Sequence, residues 1–144
     1  MATSKVMRLR QVKLEQRYTF VALLLKVPVK FLFIFNDAPY GSQRTFNGLR
    51  LAVSLARSSE NKLQVFLLGD GVLAGLGQPA PLNAFYNPQE MLTQLARTGA
   101  TIGACKTCLE QRGIGDEMLL AVVKRSTLDD LTVWTEDADK VLSF

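Results

Sequence analysis

Two cysteines three residues apart are the most reactive side chains in this sequence. They are Cys105 and Cys108, in the segment Cys-Lys-Thr-Cys, and the chain contains no histidine. The lack of histidine excludes a Ser-His-Asp triad, a Cys-His pair and any zinc site that needs an imidazole. Two thiols also cannot supply the four ligands of a structural zinc site within one chain. The chemistry left is that of a thiol, and we expect neither a metal nor another cofactor.

The position of Cys105 favours a reactive thiolate. It follows a short apolar segment at 100–104 and precedes a predicted short helix that Gly113 ends. A thiolate at the start of a helix is stabilised by the helix dipole and by unpaired backbone N–H groups. Lys106 adds a positive charge beside it, and Arg112 lies close if the short helix folds back. These groups lower a thiol pKa, and the resulting thiolate can attack a donor persulfide, hold the sulfur and pass it on.

The Cys-x-x-Cys spacing alone leaves three interpretations open. Cys108 can be a resolving thiol beside a sulfur-carrying Cys105. The pair can instead form a reversible disulfide, as in a dithiol oxidoreductase. Alternatively, both cysteines can be small buried apolar residues of a non-catalytic binding or scaffold module, since free cysteine is commonly buried.

The positive charge is concentrated at the amino-terminal end. The 144 residues carry a net charge of +4, but the first 30 hold seven basic groups and one acidic group, and the other 114 hold ten basic and twelve acidic groups. We therefore expect a basic, flexible extension over 1–28, a folded domain over 29–144, and no direct binding to nucleic acid. The apolar run at 18–25 is much shorter than the roughly 20 residues that span a bilayer, so no membrane partner is expected. Two cysteines without a recognisable export signal indicate a reducing, cytoplasmic location.

Apolar runs and helical periodicity alternate along the chain. The run Val-Lys-Phe-Leu-Phe-Ile-Phe at 29–35 is typical of a strand buried on both faces, as in a parallel sheet. Other strands are predicted at 63–68, 100–104 and 141–144, while 119–123 is either a strand or a covering segment. Helices are predicted after an N-cap at Ser42, with the apolar stripe Phe46, Leu49, Val53 and Ala56, from Asn87 to Thr98, and from Ser126 or Thr127 to Ala138. Trp134 and Phe46 are expected in the core.

This alternation predicts an α/β fold with a parallel sheet covered on both faces. Ligands of such folds bind beyond the carboxyl ends of the strands. Asn36, Asp37, Asp70 and Cys105 all follow predicted strands, so we expect them at one edge of the sheet. Turn or capping roles are the alternative for Asn36 and Asp70, and a helix-terminal charge is the alternative for Arg112. The Gly69-Asp70-Gly71 segment lacks the spacing of a nucleotide-binding loop.

Five segments together resemble the DsrE-like family, and most closely its YchN-type branch. The similarity runs from Val29 to Phe144 and includes the order and approximate spacing of the motifs. The segments are Phe-Asn-Asp-Ala-Pro-Tyr-Gly-Ser at 35–42, Phe-Asn-Gly-Leu-Arg-Leu-Ala at 46–52, Phe-Leu-Leu-Gly-Asp at 66–70, Cys-Lys-Thr-Cys-Leu-Glu-Gln-Arg-Gly-Ile at 105–114, and Ala-Asp-Lys-Val-Leu-Ser-Phe at 138–144.

The resemblance implies a three-layer α/β/α fold with a mostly parallel sheet of about five strands. It implies homo-oligomers, often trimers or hexamers, with the cysteine near a subunit boundary. In the sulfur-relay members a cysteine ahead of an Arg-Gly pair accepts persulfide sulfur, and by its spacing to Arg112-Gly113 this position corresponds to Cys105. Cys108 is a feature of the YchN-like branch. The resemblance therefore implies a sulfur carrier of sulfurtransferase type, with protein donors and acceptors of sulfur.

Overall fold

The computed structural model describes residues 28–77 and 86–144. Within them the chain forms a five-stranded sheet in which every strand pair is parallel, with the order β4-β3-β2-β1-β5. This confirms the α/β fold with a parallel sheet of five strands. The strands are β1 (Lys30–Phe35), β2 (Lys62–Leu67), β3 (Thr101–Cys105), β4 (Val123–Ser126) and β5 (Lys140–Ser143). Residues 1–27 of the predicted extension and 78–85 of the predicted loop lie outside the described residues.

Helices cover both faces of this sheet. They are α1 (Arg44–Leu55), α2 (Pro88–Arg97), α3 (Lys106–Glu110) and α4 (Leu128–Asp137), and two 3₁₀ segments lie at Gly69–Gly75 and Asp116–Met118. On one face, Gly48 of α1 lies against Phe35 and Phe144. On the other face, Trp134 of α4 packs edge-on against Phe66 at 5.8 Å between ring centroids. Among the described residues, no helix is long and apolar enough to cross a bilayer.

Aromatic side chains of β1 form the centre of the core on the α1 face. Phe33 stacks on Phe35 and on Phe144, with ring centroids 6.2 and 6.1 Å apart. Leu32, which precedes Phe33 in the strand, is fully buried on the opposite face. Burial on both faces explains why the sequence of β1 is a continuous apolar run and does not alternate with polar residues. The sequence pattern predicts this burial.

The helix boundaries agree with the sequence at two caps and differ at a third. The Asn87 side chain accepts from the Glu90 N–H at 3.0 Å and Pro88 opens α2, as predicted. At α4 the cap is Thr127, which forms a capping box with Asp130. Ser42 is not the N-cap of α1, since the helix begins at Arg44 after an uncapped Gln43. The Ser42 hydroxyl instead donates to the Asp37 carboxylate at 3.0 Å.

The buried face of α1 also differs from the predicted apolar stripe. It consists of Thr45, Gly48, Leu49 and Ala52. Phe46 is only half-buried because its ring lies sideways against Tyr86, 4.5 Å away between centroids, rather than on the sheet. Trp134 is half-buried too, although it packs against the core. The helix therefore contacts the sheet through small residues, because the large aromatic rings are supplied by β1.

The ambiguous segment 119–123 is a covering segment until its last residue. Leu119 makes an isolated antiparallel bridge with Leu76, and the strand begins only at Val123. The fourth strand therefore contains Lys124 and Arg125, which were not expected in a strand. It is an edge strand, paired on one side with β3, so these charged side chains reach solvent or the loops beside the sheet.

We expect Gly48→Ala to destabilise the protein by about 1–2 kcal/mol. A Cβ at this position would lie 2.5 Å from Phe35 Cε1 and 2.7 Å from Phe144 Cγ, so two packed rings would have to move. This cost exceeds the helix propensity that alanine gains over glycine, which is about 1 kcal/mol or less. Urea unfolding measures the difference, with Ser54→Ala as the control on the exposed side of the same helix. Equal or greater stability of Gly48→Ala would contradict this packing.

Candidate functional site

The loops that follow β1, β2 and β3 meet at one edge of the sheet, as the parallel order requires. The Gly71 N–H donates to the Asn36 carbonyl at 3.1 Å, which joins the first loop to the second. The Gly69 N–H donates to Cys108 Sγ at 3.3 Å, which joins the second to the third. Asp70 is bound by Arg112 from the third loop. The predicted meeting of Asn36, Asp70 and Cys105 at one edge is therefore seen in the structure.

Cys105 is both the last residue of β3 and the N-cap of α3. Its Sγ accepts from the Cys108 N–H at 3.4 Å, as a capping side chain does, and lies 3.2 Å from the Thr107 hydroxyl. The residue is only 4% exposed. The thiol therefore lies at the surface end of the strand, within a shell of hydrogen-bond donors.

These donors act on the acidity of Cys105. Burial raises the pKa of its thiol, but hydrogen bonds from the Cys108 thiol, the Thr107 hydroxyl and the backbone N–H groups of both residues together hold that pKa below its ordinary value. Donors that stabilise a thiolate more than a thiol have this effect. Cys105 is the member of the pair that ionises first.

Cys108 has the opposite tendency. Burial, together with its hydrogen bond to Cys105, raises the pKa of its thiol above the ordinary value, although the Gly69 N–H and the Arg112 charge act in the lowering direction. The structure thus places a thiol with a lowered pKa and a thiol with a raised pKa in the same turn. Both are free, with no disulfide between them.

Two glycines allow the turn after β2 to approach this pair. Gly69 has φ +56°, a left-handed conformation that favours glycine. At Gly71 a Cβ would overlap the carbonyl group of Phe35. The two glycines of the Gly69-Asp70-Gly71 segment therefore allow a close backbone contact, which directs the Gly69 N–H toward Cys108 Sγ. The segment does not act as a phosphate-binding loop.

Arg112 joins the cysteine turn to Asp70. Its Nη2 lies 2.6 Å from Asp70 Oδ1, and its Nε donates to the same oxygen at 3.2 Å. Its Nη1 donates to the Cys108 carbonyl at 2.9 Å. The Arg112 side chain is 29% exposed and that of Asp70 is 60% exposed, so the ion pair faces solvent at the edge that also holds the thiols. The Arg112 guanidinium thus lies beside the cysteine turn, as the sequence predicts for a short helix that folds back.

The other predicted site residues have mainly structural contacts. Asn36 Nδ2 donates to the Ser143 hydroxyl at 2.8 Å and to the Phe144 carbonyl, which fixes the end of β5. Asp37 accepts from Ser42, and its carboxylate lies 3.7 Å from Arg44. Neither of these side chains bonds to a cysteine.

Lys106 is exposed on the first turn of α3, and the described part of the chain gives it no ion pair. Its ammonium can therefore meet an approaching anion.

Thr107 and Arg125 are site residues that the sequence did not reveal. Thr107 lies between the two cysteines, and the Cys-x-x-Cys spacing by itself gives it no role. Arg125 of β4 donates to Asp116 at 2.5 Å and to the Ile114 carbonyl at 3.1 Å, and lies 3.8 Å from Glu110. It therefore ties the end of α3 and the following loop to the edge of the sheet. A correct placement of β4 would have been needed to find it.

No group of three or more cysteine, aspartate or glutamate side chains in 28–77 and 86–144 is arranged to hold a metal ion. The arrangement supports nucleophilic thiol chemistry: a thiolate capped by N–H and O–H donors, a neighbouring thiol, and an exposed ion pair close to both.

Comparison with known proteins places this geometry in a family. The family model described as DsrE/DsrF-like matches residues 29–144, nearly the whole described structure. The chain belongs to the DsrE/DsrF-like family. It is 43% identical over 116 residues to the protein YchN of Escherichia coli, which covers 80% of this chain and 98% of that protein.

The crystal structure of E. coli YchN has the same fold, with a TM-score of 0.74 over 81% of this chain and 99% of that chain. An uncharacterized protein of Methanopyrus kandleri is 32% identical over 111 residues, 77% of this chain and 90% of that protein. A protein TusC homolog of Aliivibrio fischeri is 28% identical over 115 residues, 78% of this chain and 96% of that protein. The DsrE-like resemblance read from the sequence is confirmed.

We expect Thr107→Val to slow the alkylation of Cys105 by roughly two- to tenfold at pH 7, the worth of one hydrogen bond. Loss of the hydroxyl removes a hydrogen-bond donor that lowers the Cys105 pKa. The pKa therefore rises, and the alkylation rate of Cys105 increases only at higher pH than in the unaltered protein. Iodoacetamide labelling with peptide mass mapping measures each cysteine separately across pH.

The matched control is Thr101→Val, at the other end of β3, which leaves the rate unchanged. An unaltered rate in Thr107→Val would contradict the role of this hydrogen bond.

Proposed function

We propose that the protein is a sulfur carrier of sulfurtransferase type, which accepts sulfur on Cys105 as a persulfide and passes it on. The observation that carries this proposal is the N-cap position of Cys105, with the Cys108 N–H at 3.4 Å and the Thr107 hydroxyl at 3.2 Å from Sγ. Membership of the DsrE/DsrF-like family and the similarity to a TusC homolog support a sulfur-relay role.

The transfer begins with the Cys105 thiolate. It attacks the outer sulfur of a donor persulfide, R–S–SH, so that an S–S bond forms on Cys105 Sγ while the donor's S–S bond breaks. The donor leaves as the thiolate R–S⁻ with the electron pair of that bond, and the transferred sulfur keeps its hydrogen. The lowered pKa of Cys105 increases the fraction of the attacking thiolate at any given pH.

Delivery of the sulfur is the same reaction in reverse. An acceptor thiolate attacks the outer sulfur of the Cys105 persulfide, and Cys105 leaves as a thiolate. The donors that lower the Cys105 pKa also make it a better leaving group, because a more acidic thiol leaves faster. Donor and acceptor proteins therefore have to reach the edge formed by the loops after β1, β2 and β3, and a reducing, cytoplasmic location suits this exchange.

Lys106 and Arg112 supply positive charge at this edge. Lys106 is exposed beside Cys105, and Arg112 holds Asp70 and the Cys108 carbonyl at the mouth of the turn. Both can attract an anionic persulfide or an acidic docking surface, and Arg112 also fixes the turn that presents Cys108. Asn36, Asp37 and Asp70 support the loops rather than the sulfur.

The second candidate function is a non-catalytic binding or scaffold module of the same fold. The observation in its favour is the 4% exposure of Cys105, because a thiol so buried can be a packing residue. The two functions differ in one measurement. A scaffold predicts that neither cysteine is alkylated near neutral pH until the protein is unfolded.

We expect the protein to gain one sulfur atom when it is incubated with glutathione persulfide. Intact-mass spectrometry of the unaltered protein, Cys105→Ser and Cys108→Ser measures this gain. The added sulfur is absent in Cys105→Ser and present in Cys108→Ser, because only Cys105 has the lowered pKa. Loading of Cys105→Ser to the level of the unaltered protein would contradict the assignment. Absence of an adduct in every variant would favour the scaffold function.

We propose in addition that Cys108 is a resolving thiol, and we expect the loaded protein to lose its sulfur as sulfide as the pH rises. The Cys108 thiolate attacks Cys105 Sγ, a Cys105–Cys108 disulfide forms, and the outer sulfur leaves as HS⁻. The raised pKa of Cys108 makes this reaction slow near pH 7 and faster above the usual thiol pKa of about 8.5. Sulfide release and a mass two hydrogens below the reduced protein are measured together. Cys108→Ser is the control that retains its sulfur, and equal retention by the unaltered protein at high pH would contradict this role.

A further inference from the structure

One face of the sheet is covered by a single helix among the described residues. The connections from β1 to β2, from β2 to β3 and from β3 to β4 all step in the same direction along the sheet, so right-handed crossovers place α1, α2 and α3 on one face. The return from β4 to β5 places α4 on the other face. A helix is about 10 Å wide, the width of roughly two strands. Part of the α4 face is therefore left exposed.

The exposed part of this face lies on β1 and β5. Val141 is paired with Leu32, so both side chains lie on the α4 face, and Ile34 follows on the same face two residues later. Val141 is 44% exposed, and Ile34 is only half-buried although β1 is an interior strand. The helix packs instead over β2, where Trp134 contacts Phe66. Strands of a parallel sheet are normally buried on both faces, so these positions call for a covering segment.

One side of α4 borders the exposed strand positions. Asp130, Val133 and Asp137 lie on the same side of the helix by their spacing. Asp137 binds Lys30 of β1 at 2.6 Å, which shows that this side is turned toward β1 and β5. Val133 is 61% exposed. We call the three apolar residues on this surface, Ile34, Val133 and Val141, the uncovered strip.

The charge beside the uncovered strip is negative. Residues 128–139 contain five acidic residues and no basic one. Asp129 and Glu136 form no ion pair within the described residues, whereas Asp137 is paired with Lys30. An occupant of the strip therefore needs apolar side chains flanked by basic ones.

The segment that precedes β1 has this composition. Residues 1–27 contain six basic residues and one acidic residue. The apolar run Tyr-Thr-Phe-Val-Ala-Leu-Leu-Leu at 18–25 stands between Arg17 and Lys26. The family model matches only residues 29–144, so this segment is an addition to the shared fold.

The segment also joins the fold at one end of the uncovered strip. It leads into β1 at Lys30, whose side chain binds Asp137 and whose N–H donates to the Asp139 carboxylate at 2.8 Å. The six residues of β1 extend about 20 Å, and 27 residues extend about 40 Å even when all are helical. The segment is therefore long enough to cover the strip. Because it is tethered there, its effective concentration is in the range of about 1 mM, so that even a weak contact is occupied.

We propose that residues 18–25 pack on the uncovered strip of their own chain, with Arg17 and Lys26 beside the acidic side of α4. Burial of apolar surface drives this contact. Exposed ion pairs are individually weak, so the flanking charges mainly orient the segment. The contact extends the α4 layer over β1 and β5.

Hydrogen–deuterium exchange of the full chain tests this contact without any sulfur chemistry. We expect the amides of 18–25 to exchange about tenfold or more slowly than those of an unstructured peptide, because they are protected while the segment is docked. Phe20→Asp/Leu24→Asp removes this protection by placing charge in the apolar run. Val141→Asp also removes it, although this change is far away in sequence. The matched controls are Met7→Asp, outside the apolar run, and Leu51→Asp, at a 41% exposed position of α1, and both retain the protection.

Exchange of β1 to β3 in the same spectra checks that each variant is folded. Unprotected amides at 18–25 in the unaltered protein would overturn the proposal. So would protection that survives Val141→Asp, because the segment would then pack elsewhere. Protection that appears only with anionic phospholipid vesicles would assign the segment to a membrane surface instead and would also overturn it.

Photo-crosslinking distinguishes the same chain from a second copy. Phe20 is replaced by p-benzoylphenylalanine in the full chain, and ¹⁵N-labelled and unlabelled protein are mixed before irradiation. We expect crosslinks from position 20 to α4 or β5, with both linked peptides carrying the same label. Crosslinks with mixed labels would show that the segment binds a second copy, and crosslinks to α1 or α2 would place it on the other face. Either result would overturn the proposal.

Discussion

The turn after β2 crosses the end of β1 so closely that no side chain fits between them. Gly71 lies against the Phe35 carbonyl group and donates to the Asn36 carbonyl, and Gly69 adopts a left-handed conformation next to it. This contact fixes where the Gly69 N–H points and therefore where Cys108 Sγ rests. Backbone groups of three loops meet at the site, so its geometry depends on the register of the sheet.

The cysteine turn is short and is held from both sides. Five residues of α3 have few hydrogen bonds of their own, and an isolated helix of this length is unstable in water. Arg112 binds Asp70 on the side of β2, and Arg125 binds Asp116 and Glu110 on the side of β4. These ion pairs are partly exposed and each contributes little to global stability. Their main consequence is local, because they hold the Cys108 N–H where it can cap Cys105.

Features that depend on local sequence were predictable, and features that depend on tertiary contacts were not. The strands β1 to β3, the caps at Asn87 and Thr127 and the edge position of Cys105 follow from apolar runs, capping residues and parallel topology. The buried face of α1 could not be read from apolarity, because β1 supplies the large rings and the helix needs small residues opposite them. The strand β4 is a charged edge strand, so its sequence lacks the apolar pattern that revealed the other strands. The role of Thr107 depends on a rotamer that spacing alone does not specify.

In a carrier of persulfide sulfur, a second thiol nearby can attack the persulfide and release its sulfur as sulfide. The opposite pKa shifts of Cys105 and Cys108 disfavour this competing reaction. Hydrogen bonds lower the pKa of Cys105, while burial and its ionising neighbour raise that of Cys108. A thiol is a much weaker nucleophile than a thiolate. Cys108 with its raised pKa therefore stays protonated to higher pH, and in that form it attacks a persulfide on Cys105 only slowly. The same contact that makes Cys105 reactive therefore keeps Cys108 protonated. Each ionisation makes the other less favourable, so the first negative charge that the turn acquires resides on Cys105.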